Sequence, residues 1–509
     1  VRSRVLQSLG PLPERTPLRP EVTAKHSRDG YRIENIIFES RPGFPVTANL
    51  YLPDADHPVP AVIGTCGHST DGKAAEAYQG FSQGLAKLGF ACLIYDPIGQ
   101  GERLQYPRPN RHKNSRFGIG VREHIQAGNQ QFLVGENLSM WRAWDGMRAL
   151  DYLLTRPEID DSQIGVTGNS GGGTMTTWLA GIERRFTMAA PSCFVTTFLR
   201  NVENEEPVDT EQCPPRALAL GLEHEDFLLA MAPHPVTILA KERDFFDVRG
   251  SREAFGRMKH VYNLLGHGDH VSLFIGPTDH GFSFENRTAM YQAFSKAVER
   301  KIPDDEPPLI VEEKETLQCT KSGQIAERDP KMIADFTKEK AIRLGQQRRQ
   351  LAMPELAKVV VDVLKMPERI ERPPGYRILR HIRRPNLPIK SATHYVVETE
   401  SPAAAICTML YEERHHARPV REGNRALLYV SHRSSDSELQ SLAWLRDDVV
   451  AARDSGAMCF ACDVRGIGES QPNTCGIDTF DDVYGCDYFY AANSMMLDRP
   501  YLGQKVWDV

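Results

Sequence analysis

The stretch that most constrains this chain is VTGNSGGG, residues 166–173, in which one serine stands among four glycines after a short apolar run. Gly168, Ser170 and Gly172 have the G-x-S-x-G spacing of a nucleophile elbow, a sharp turn from a strand into a helix. The turn strains the serine backbone, and neighbours without side chains relieve the crowding. The motif predicts a nucleophilic Ser170, provided that the chain also supplies a base and an acid.

Strand-like and helix-like segments alternate over the first 300 residues. The strand-like runs are 47–52, 61–66, 90–95, 164–167, 235–240 and 271–275, and the helix-like stretches include 74–88, 138–154, 251–265 and 285–300. Such alternation indicates a mainly parallel sheet with helices on both faces. Catalytic groups in these sheets collect at the carboxyl ends of the strands, and Ser170 follows the run 164–167 at that end.

A base and an acid follow Ser170 in the order expected for an α/β-hydrolase, namely serine, acid and then histidine. The apolar run 235–240 leads into a loop with Asp244 and Asp247, and the run 271–275 leads to His280. We predict His280 as the base and Asp244 as the acid, because Asp244 lies nearer the end of its strand. Asp247 is the alternative acid, or it caps the helix that begins near Ser251.

The oxyanion of an acyl transfer needs preformed donors, usually the N–H after the nucleophile and one from the loop after an early strand. Gly171 is predicted to provide the first donor. His68, in the loop CGHSTDGK after the run 61–66, is predicted to provide the second through its backbone N–H. The His68 side chain is either a substrate contact or a loop hydrogen bond. As a metal ligand it lacks an evident cluster of partners, so the sequence predicts no metal site. The predicted serine chemistry also needs no organic cofactor.

Composition excludes several classes of protein. The chain has 509 residues, a formal net charge of -6, 41% hydrophobic and 25% charged residues, and no long basic run, so we expect no nucleic-acid partner. No apolar run approaches the roughly 20 residues needed to cross a bilayer, and we expect no membrane partner. Because the chain begins at Val1 rather than Met, a processed leader stays open, and the sequence leaves the compartment, cytoplasmic or exported, undecided. The oligomeric state is also left open.

The beginning of the first domain recurs near the end of the chain. ACLIYDPIGQGERLQYP (91–107) resembles MCFACDVRGIGESQP (458–472), and Asp96, Gly99, Gly101 and Glu102 reappear 367 positions later. Self-similarity of this kind indicates a tandem copy of one fold. We therefore predict a catalytic domain at 1–300, a Pro- and charge-rich connector at 301–372, and a partial second α/β-hydrolase-like domain at 373–509.

The second copy stops at Val509, before it reaches an elbow, an acid or a histidine of its own. A parallel sheet without its middle exposes an unpaired strand edge. On this interpretation we expect the natural protein to continue beyond Val509. The alternative is that the partial copy packs against the first domain or another chain and is complete as it stands.

The motifs CGHSTDGKAAEAYQ (66–79), YDPIGQGER (95–103), GVTGNSGGG (165–173) and DHGF (279–282) resemble bacterial α/β-hydrolases of the acetyl xylan esterase-like group. These are relatives of dienelactone hydrolases and of prolyl-oligopeptidase-type hydrolases. The resemblance covers about residues 30–300 well and 375–509 weakly. It implies an α/β-hydrolase fold with Ser170 as nucleophile, His280 as base and Asp244 as acid. It departs from the H-G-G-G form of lipases in the loop that contains His68.

The motifs together predict a serine carboxylester hydrolase acting on a small ester or an acylated carbohydrate, most simply a carbohydrate esterase of the acetyl xylan type. A serine peptidase of the prolyl-oligopeptidase type is one alternative, although no propeller-like run of short strands precedes the hydrolase core. A binding protein with a non-catalytic second copy is another. Polar residues between Arg108 and Trp141 favour short acyl groups, and an insertion at 193–234 either lines the pocket or is a surface excursion.

Overall fold

The computed structural model describes residues 1–108, 111–206, 209–367, 373–383, 387–412, 420–421, 423–471 and 486–509. For residues 111–113 and 486–487 the backbone alone is described. The chain forms two compact units, Val1–Arg349 and Gln350–Val509.

The first unit is built on a nine-stranded sheet in the order β1-β2-β3-β5-β4-β8-β9-β10-β11, and β6 and β7 form a separate two-stranded sheet. The strands are β1 (Glu21–Arg28), β2 (Tyr31–Arg41), β3 (Phe44–Pro53), β4 (Val59–Thr65), β5 (Ala91–Tyr95), β6 (Pro107–Arg108), β7 (Arg111–Ser115), β8 (Ile159–Asn169), β9 (Met188–Ser192), β10 (Val236–Arg243) and β11 (Val271–Asp279). From β5 to β11 all neighbouring strands are parallel, whereas β1, β2 and β3 pair antiparallel.

Eleven α-helices of the first unit lie among its described residues. They are α1 (Arg2–Leu9), α2 (Glu76–Lys87), α3 (Val121–Phe132), α4 (Leu138–Leu153), α5 (Gly171–Ile182), α6 (Phe198–Glu203), α7 (His224–Leu229), α8 (Val248–Leu264), α9 (Phe284–Ala297), α10 (Lys314–Leu317) and α11 (Ile333–Gln347). Strands β3, β4 and β5 are buried along their whole length, as is α5, because helices cover the sheet. The α/β-hydrolase fold predicted from the sequence is confirmed.

Residues 301–349, assigned to the connector by sequence, lie within the first unit. Leu317, Ile325 and Ile333 are fully buried there. The Glu102 carboxylate accepts hydrogen bonds from the N–H groups of Cys319 and Thr320 at 2.8–3.0 Å. Buried apolar side chains and hydrogen bonds to the Glu102 carboxylate therefore hold this stretch in the first unit.

The second unit has a five-stranded sheet in the order β12-β13-β14-β16-β15. Its described elements are α12 (Met353–Leu364), β12 (Tyr376–Arg383), β13 (Ser391–Glu400), β14 (Ala403–Tyr411), β15 (Ala426–Val430), α13 (Ser435–Ser441), α14 (Ala443–Asp454), β16 (Met458–Asp463), α15 (Cys486–Met496) and α16 (Tyr501–Asp508). The first three strands pair antiparallel and β15 pairs parallel to β16, which is the arrangement of β1, β2, β3, β5 and β4 in the first unit.

Within the described ranges, no helix combines the length and the apolar character that a bilayer-crossing helix requires.

Candidate active site

Ser170 occupies a strained turn between β8 and α5. Its φ and ψ are 60° and -123°, a left-handed conformation that a serine rarely adopts. Its N–H donates to the carbonyl of Ser192 at the end of the neighbouring strand β9, at 2.9 Å. The flanking glycines are needed for close approach, since a methyl group at Gly168 or Gly172 would lie within 2.3 Å of the Thr65 carbonyl oxygen. Ser170 is partly exposed at the carboxyl edge of the sheet.

His280 and Asp244 form a hydrogen-bonded pair at the same edge. His280 directly follows β11 and Asp244 directly follows β10, and these strands are parallel neighbours. The His280 Nδ1 lies 2.8 Å from the Asp244 Oδ1. The Asp244 side chain is 1% exposed and that of His280 is 25% exposed, so the carboxylate is buried while the ring reaches the surface. Phe245 stacks on the His280 ring with a centroid distance of 4.3 Å.

Asp247 has a different place in the structure. It is the N-cap of α8, and its Oδ1 accepts a hydrogen bond from the Arg249 N–H at 2.8 Å. A side-chain hydrogen bond from Arg249 also lowers the pKa of the Asp247 carboxyl. The structure thus brings Asp244, and not Asp247, to His280.

The turn that follows β9 links the elbow to the histidine loop. Ser192 accepts the Ser170 N–H, and its hydroxyl donates to the Asn169 side chain at 3.0 Å. The next residue, Cys193, places its thiol 3.5 Å from the Gly281 carbonyl. Burial raises the pKa of Cys193 to about 12, with a further contribution from Asp244, so the thiol stays protonated. Cys193 is therefore a packing residue between the serine and the histidine rather than a second nucleophile.

The loop after β4 lies directly against the elbow. A methyl group at Gly67 would lie 2.9 Å from the Ser170 Cβ, so only a glycine allows this approach. The Gln100 amide fixes the loop by donating to the carbonyls of Gly67 and Ser69 at 2.7 and 3.0 Å. Gly171 is the first residue of α5, and its N–H has no acceptor within the helix. Among the described residues, the backbone N–H of His68 also has no hydrogen-bond acceptor.

The side chain of His68 belongs to a buried polar cluster that the sequence does not indicate. His68, His124, Asp209 and Glu211 have ligand-type atoms within 4.8 Å of one another. The sequence offered no partners for His68, because His124 comes from α3 and the two acids come from the insertion after β9. The insertion folds back over the elbow, and a methyl group at Gly171 would lie 2.5 Å from the Glu211 carboxylate. The one feature of the sequence that could have indicated this cluster is the presence of acidic residues in the long insertion after β9.

Comparison with known proteins agrees with this fold. Residues 16–210 match the model of the acetyl xylan esterase family AXE1. A Bacillus subtilis (strain 168) protein named "Putative hydrolase YtaP" is 25% identical over 203 residues, which are 38% of this chain and 62% of that protein. The solved structure of "Methylesterase BT1017" superposes with a TM-score of 0.52 and 22% identity, covering 68% of this chain and 74% of that one.

The family match lies within the first unit, and the three matches differ in what they establish. The structural match supports the α/β-hydrolase fold, and the family match covers the elbow together with the loop that contains His68. The first unit therefore has an α/β-hydrolase fold, and residues 16–210 of it are similar to the acetyl xylan esterase family.

Proposed function

We propose that the first unit is a serine esterase that removes acetyl or similarly small acyl groups from a carbohydrate through a Ser170–His280–Asp244 triad. A serine hydroxyl is a weak nucleophile at neutral pH and needs a base to accept its proton. Asp244 accepts the Nδ1 proton of His280, which leaves Nε2 as the basic nitrogen and stabilises the imidazolium that forms.

In the proposed reaction the Ser170 Oγ attacks the ester carbonyl while His280 takes its proton. The tetrahedral oxyanion is held by the backbone N–H groups of Gly171 and His68, which are free of other acceptors in the described structure. His280 then protonates the departing sugar hydroxyl. Water, deprotonated by His280, attacks the acyl group on Ser170, releases the acid and restores the serine.

The observation that carries this proposal is the coincidence of three features at one edge of the sheet. These are the left-handed backbone of Ser170, the glycine-dependent packing of its neighbours against β4, and the 2.8 Å contact between His280 and Asp244. Structural serine turns have no need of a strained φ and a buried Asp–His pair on neighbouring strands.

The nucleophile is tested by substitution and by covalent labelling. Ser170→Ala is expected to abolish both hydrolysis of p-nitrophenyl acetate and labelling by a fluorophosphonate, because it removes the hydroxyl that is the proposed nucleophile. Ser162→Ala, an exposed serine at the start of the same strand β8, serves as the matched control and should keep both properties. Labelling that persists in Ser170→Ala, or that maps to another serine, contradicts the assignment.

The substrate class is tested by a panel of p-nitrophenyl acetate, p-nitrophenyl octanoate, acetylated xylan and a prolyl amide. We expect the acetate to be hydrolysed faster than the octanoate, acetic acid to be released from xylan, and the amide to remain intact. Cleavage of the amide favours the peptidase alternative, and faster cleavage of the octanoate contradicts the preference for short acyl groups.

A further inference from the structure

A second Asp–His couple lies beside the elbow, and it is separate from the Asp244–His280 pair of the proposed triad. The His68 Nε2 and the His124 Nδ1 each lie 2.6 Å from the same oxygen, Oδ2 of Asp209. The other oxygen of Asp209 accepts the Glu211 N–H at 2.9 Å. Asp209 and His124 are fully buried, whereas the side chain of His68 is 23% exposed. Only His68 therefore reaches from this cluster to the surface.

The hydrogen-bond partners fix which nitrogens carry protons. The His124 Nε2 lies 2.7 Å from the Ile98 carbonyl, which only accepts, so this nitrogen carries a proton. Burial alone would raise the pKa of Asp209, but the neighbouring His124 and His68 outweigh it and hold the pKa well below its ordinary value. Asp209 is therefore an ionised acceptor, and the His68 Nε2 must donate to it.

A donating Nε2 decides the state of the other nitrogen of His68. Burial lowers the pKa of His68 in spite of Asp209, so the ring is neutral and carries one proton. Its Nδ1 is then a lone-pair acceptor. Among the described residues this Nδ1 has no hydrogen-bond partner. The ring edge lies beside the elbow, since a methyl group at Gly171 would be 3.1 Å from the His68 Cε1.

We propose that His68 recognises the alcohol part of the substrate: its Nδ1 accepts a hydrogen bond from a hydroxyl group next to the ester. This inference rests on the proposed esterase function and gives it a selectivity for esters that have a free neighbouring hydroxyl, as in partly acetylated sugars. Asp209 is a positioning residue that holds the ring and its tautomer. A carboxylate in place of that hydroxyl would be repelled, because the Nδ1 lone pair and the acids behind the ring, Asp209 and Glu211, offer it no hydrogen-bond donor.

A metal ion is the competing occupant of this cluster, and the distances disfavour it. Zinc with ligand bonds of about 2.0–2.1 Å separates tetrahedral ligands by more than about 3 Å. The two contacts of Asp209 at 2.6 Å are instead hydrogen-bond lengths. Arg142 forms an ion pair with Glu211, so a cation already neutralises that carboxylate.

The test compares two substrates within each protein. One is an acetylated methyl xyloside with a free hydroxyl next to the acetyl group, and the other has that hydroxyl methylated. We expect the wild type to favour the first by about 10-fold or more in kcat/KM, roughly the effect of one hydrogen bond. His68→Gln retains an amide that can donate to Asp209, but its acceptor is Oε1 on Cδ and no acceptor replaces Nδ1 on Cγ, so this ratio should fall to near 1.

The ratio is measured within one preparation, so partial loss of folded enzyme does not affect it, and fluorophosphonate labelling counts the active sites. Asp209→Asn presents an amide N–H to His68, favours the opposite tautomer and should also lower the ratio. A wild-type ratio near 1, or a ratio that His68→Gln leaves unchanged, overturns the inference while the esterase proposal stands. Stoichiometric bound zinc with loss of the ratio on chelation also overturns it. Absence of both labelling and hydrolysis in the wild type instead refutes the proposed function, and the inference falls with it.

Discussion

Both units share the order of five strands, but the strands that precede the proposed catalytic residues are described in only one. In the first unit β4 pairs with β8, and the sheet continues through β9, β10 and β11. In the described part of the second unit β15, the counterpart of β4, is the edge of the sheet. Ser170, Asp244 and His280 follow β8, β10 and β11. The proposed nucleophile, acid and base therefore follow strands that have no counterpart among the described residues of the second unit, whereas the loop with His68 follows β4, which has one.

The repeated turn after the strands β5 and β16 shows how one scaffold feature is held in two ways. The Asp96 carboxylate accepts the Lys73 and Glu102 N–H groups, and the buried Lys73 ammonium lies 2.8 Å from it. Its counterpart Asp463 accepts the N–H groups of Ser435 and Glu469 and the hydroxyl of Ser431. A carboxylate that caps the same turn with or without a cation is a structural device and not a catalytic one.

The largest expected effect is the loss of activity when the proposed acid, Asp244, is replaced. Asp244→Asn should reduce kcat about 10⁴-fold, because an amide at this place favours the wrong tautomer of His280. The matched control is Asp247→Asn, which removes the negative charge at the N-cap of α8 but keeps a capping oxygen, and should lower stability by less than about 1 kcal/mol with little change in kcat. The rates are measured with p-nitrophenyl acetate at equal amounts of folded protein. A larger loss for Asp247→Asn would transfer the role of the acid to that residue.

The next effect concerns the stability of the two repeated turns. Burial would lower the pKa of Lys73, but Asp96 and Glu102 outweigh it and raise the pKa well above its ordinary value. Asp96→Asn leaves this buried ammonium with one acid fewer, and should destabilise the first unit by about 3 kcal/mol or more. Asp463→Asn loses charge-assisted hydrogen bonds alone, and should cost the second unit about 1–2 kcal/mol.

These two costs are measured in the full chain by hydrogen exchange, resolved to peptides of each unit, as urea is increased. Asp96→Asn should loosen peptides of the first unit, and Asp463→Asn those of the second. Equal costs would mean that the lysine adds nothing to the first turn.

The sequence predicted those parts of the first unit in which local pattern and tertiary environment agree. Strands β4, β5, β8, β10 and β11 are apolar runs with flanking turns, and the structure contains each of them. The hairpin of β1 and β2 escaped prediction because β1 is an exposed edge strand and β2 buries charged and amide side chains. Glu34 and Asn35 in β2 are fully buried but paired, Glu34 with Arg156 and Asn35 with backbone carbonyls at 316 and 318.

The candidate site divides in the same way. Ser170, Asp244 and His280 follow from a motif and from strand ends, which are local features. The cluster of His124 and Asp209 around His68 depends on a helix and an insertion that fold back over the elbow. These contacts join residues far apart in the chain, so no local sequence pattern predicts them. Likewise, the Pro- and charge-rich composition of 301–349 indicated a connector. The few apolar residues that are buried in the first unit are too widely spaced there to form a recognisable pattern.

A third test compares buried and exposed acids of the two units as pH falls. Burial would raise the pKa of Glu34, but hydrogen bonds from Arg156 and Arg32 lower it to about 2. Burial would also raise the pKa of Glu400, but Arg499 and Arg465 lower it, and this carboxylate is 35% exposed. A depressed pKa gives stability that is present above the ordinary value near 4.5 and is lost as pH falls toward the folded value.

For Glu34 the shift corresponds to at most about 3 kcal/mol for the first unit, lost between about pH 5 and 2. The exposed pair at Glu400 is screened by water, and its contribution should stay below about 1 kcal/mol. Glu34→Gln should therefore flatten the acid side of the stability profile of the first unit, and Glu400→Gln should change that of the second very little. A steep acid limb that survives Glu34→Gln would place the titrating group elsewhere.

The smallest expected effect tests whether the two turns are geometrically equivalent. Gly101 and Gly468 have φ of 55° and 52°, and a methyl group would lie 2.1 and 2.2 Å from a carboxylate oxygen of Asp96 and Asp463 respectively. Each alanine substitution must therefore displace its carboxylate, in addition to the cost of about 1 kcal/mol for a left-handed residue with a side chain. We expect a similar loss of about 2 kcal/mol in each unit.

Gly30→Ala and Gly456→Ala are the matched controls, because both glycines have positive φ but open space around an added methyl group. They should cost only the backbone part, about 1 kcal/mol, so the difference between each pair isolates the contact with the carboxylate. Urea midpoints followed by peptide-resolved hydrogen exchange give the four values. Similar differences in both units would show that the turn is a repeated structural element. A penalty confined to Gly101→Ala would mean that the Asp463 turn yields where the Asp96 turn, fixed by Lys73, does not.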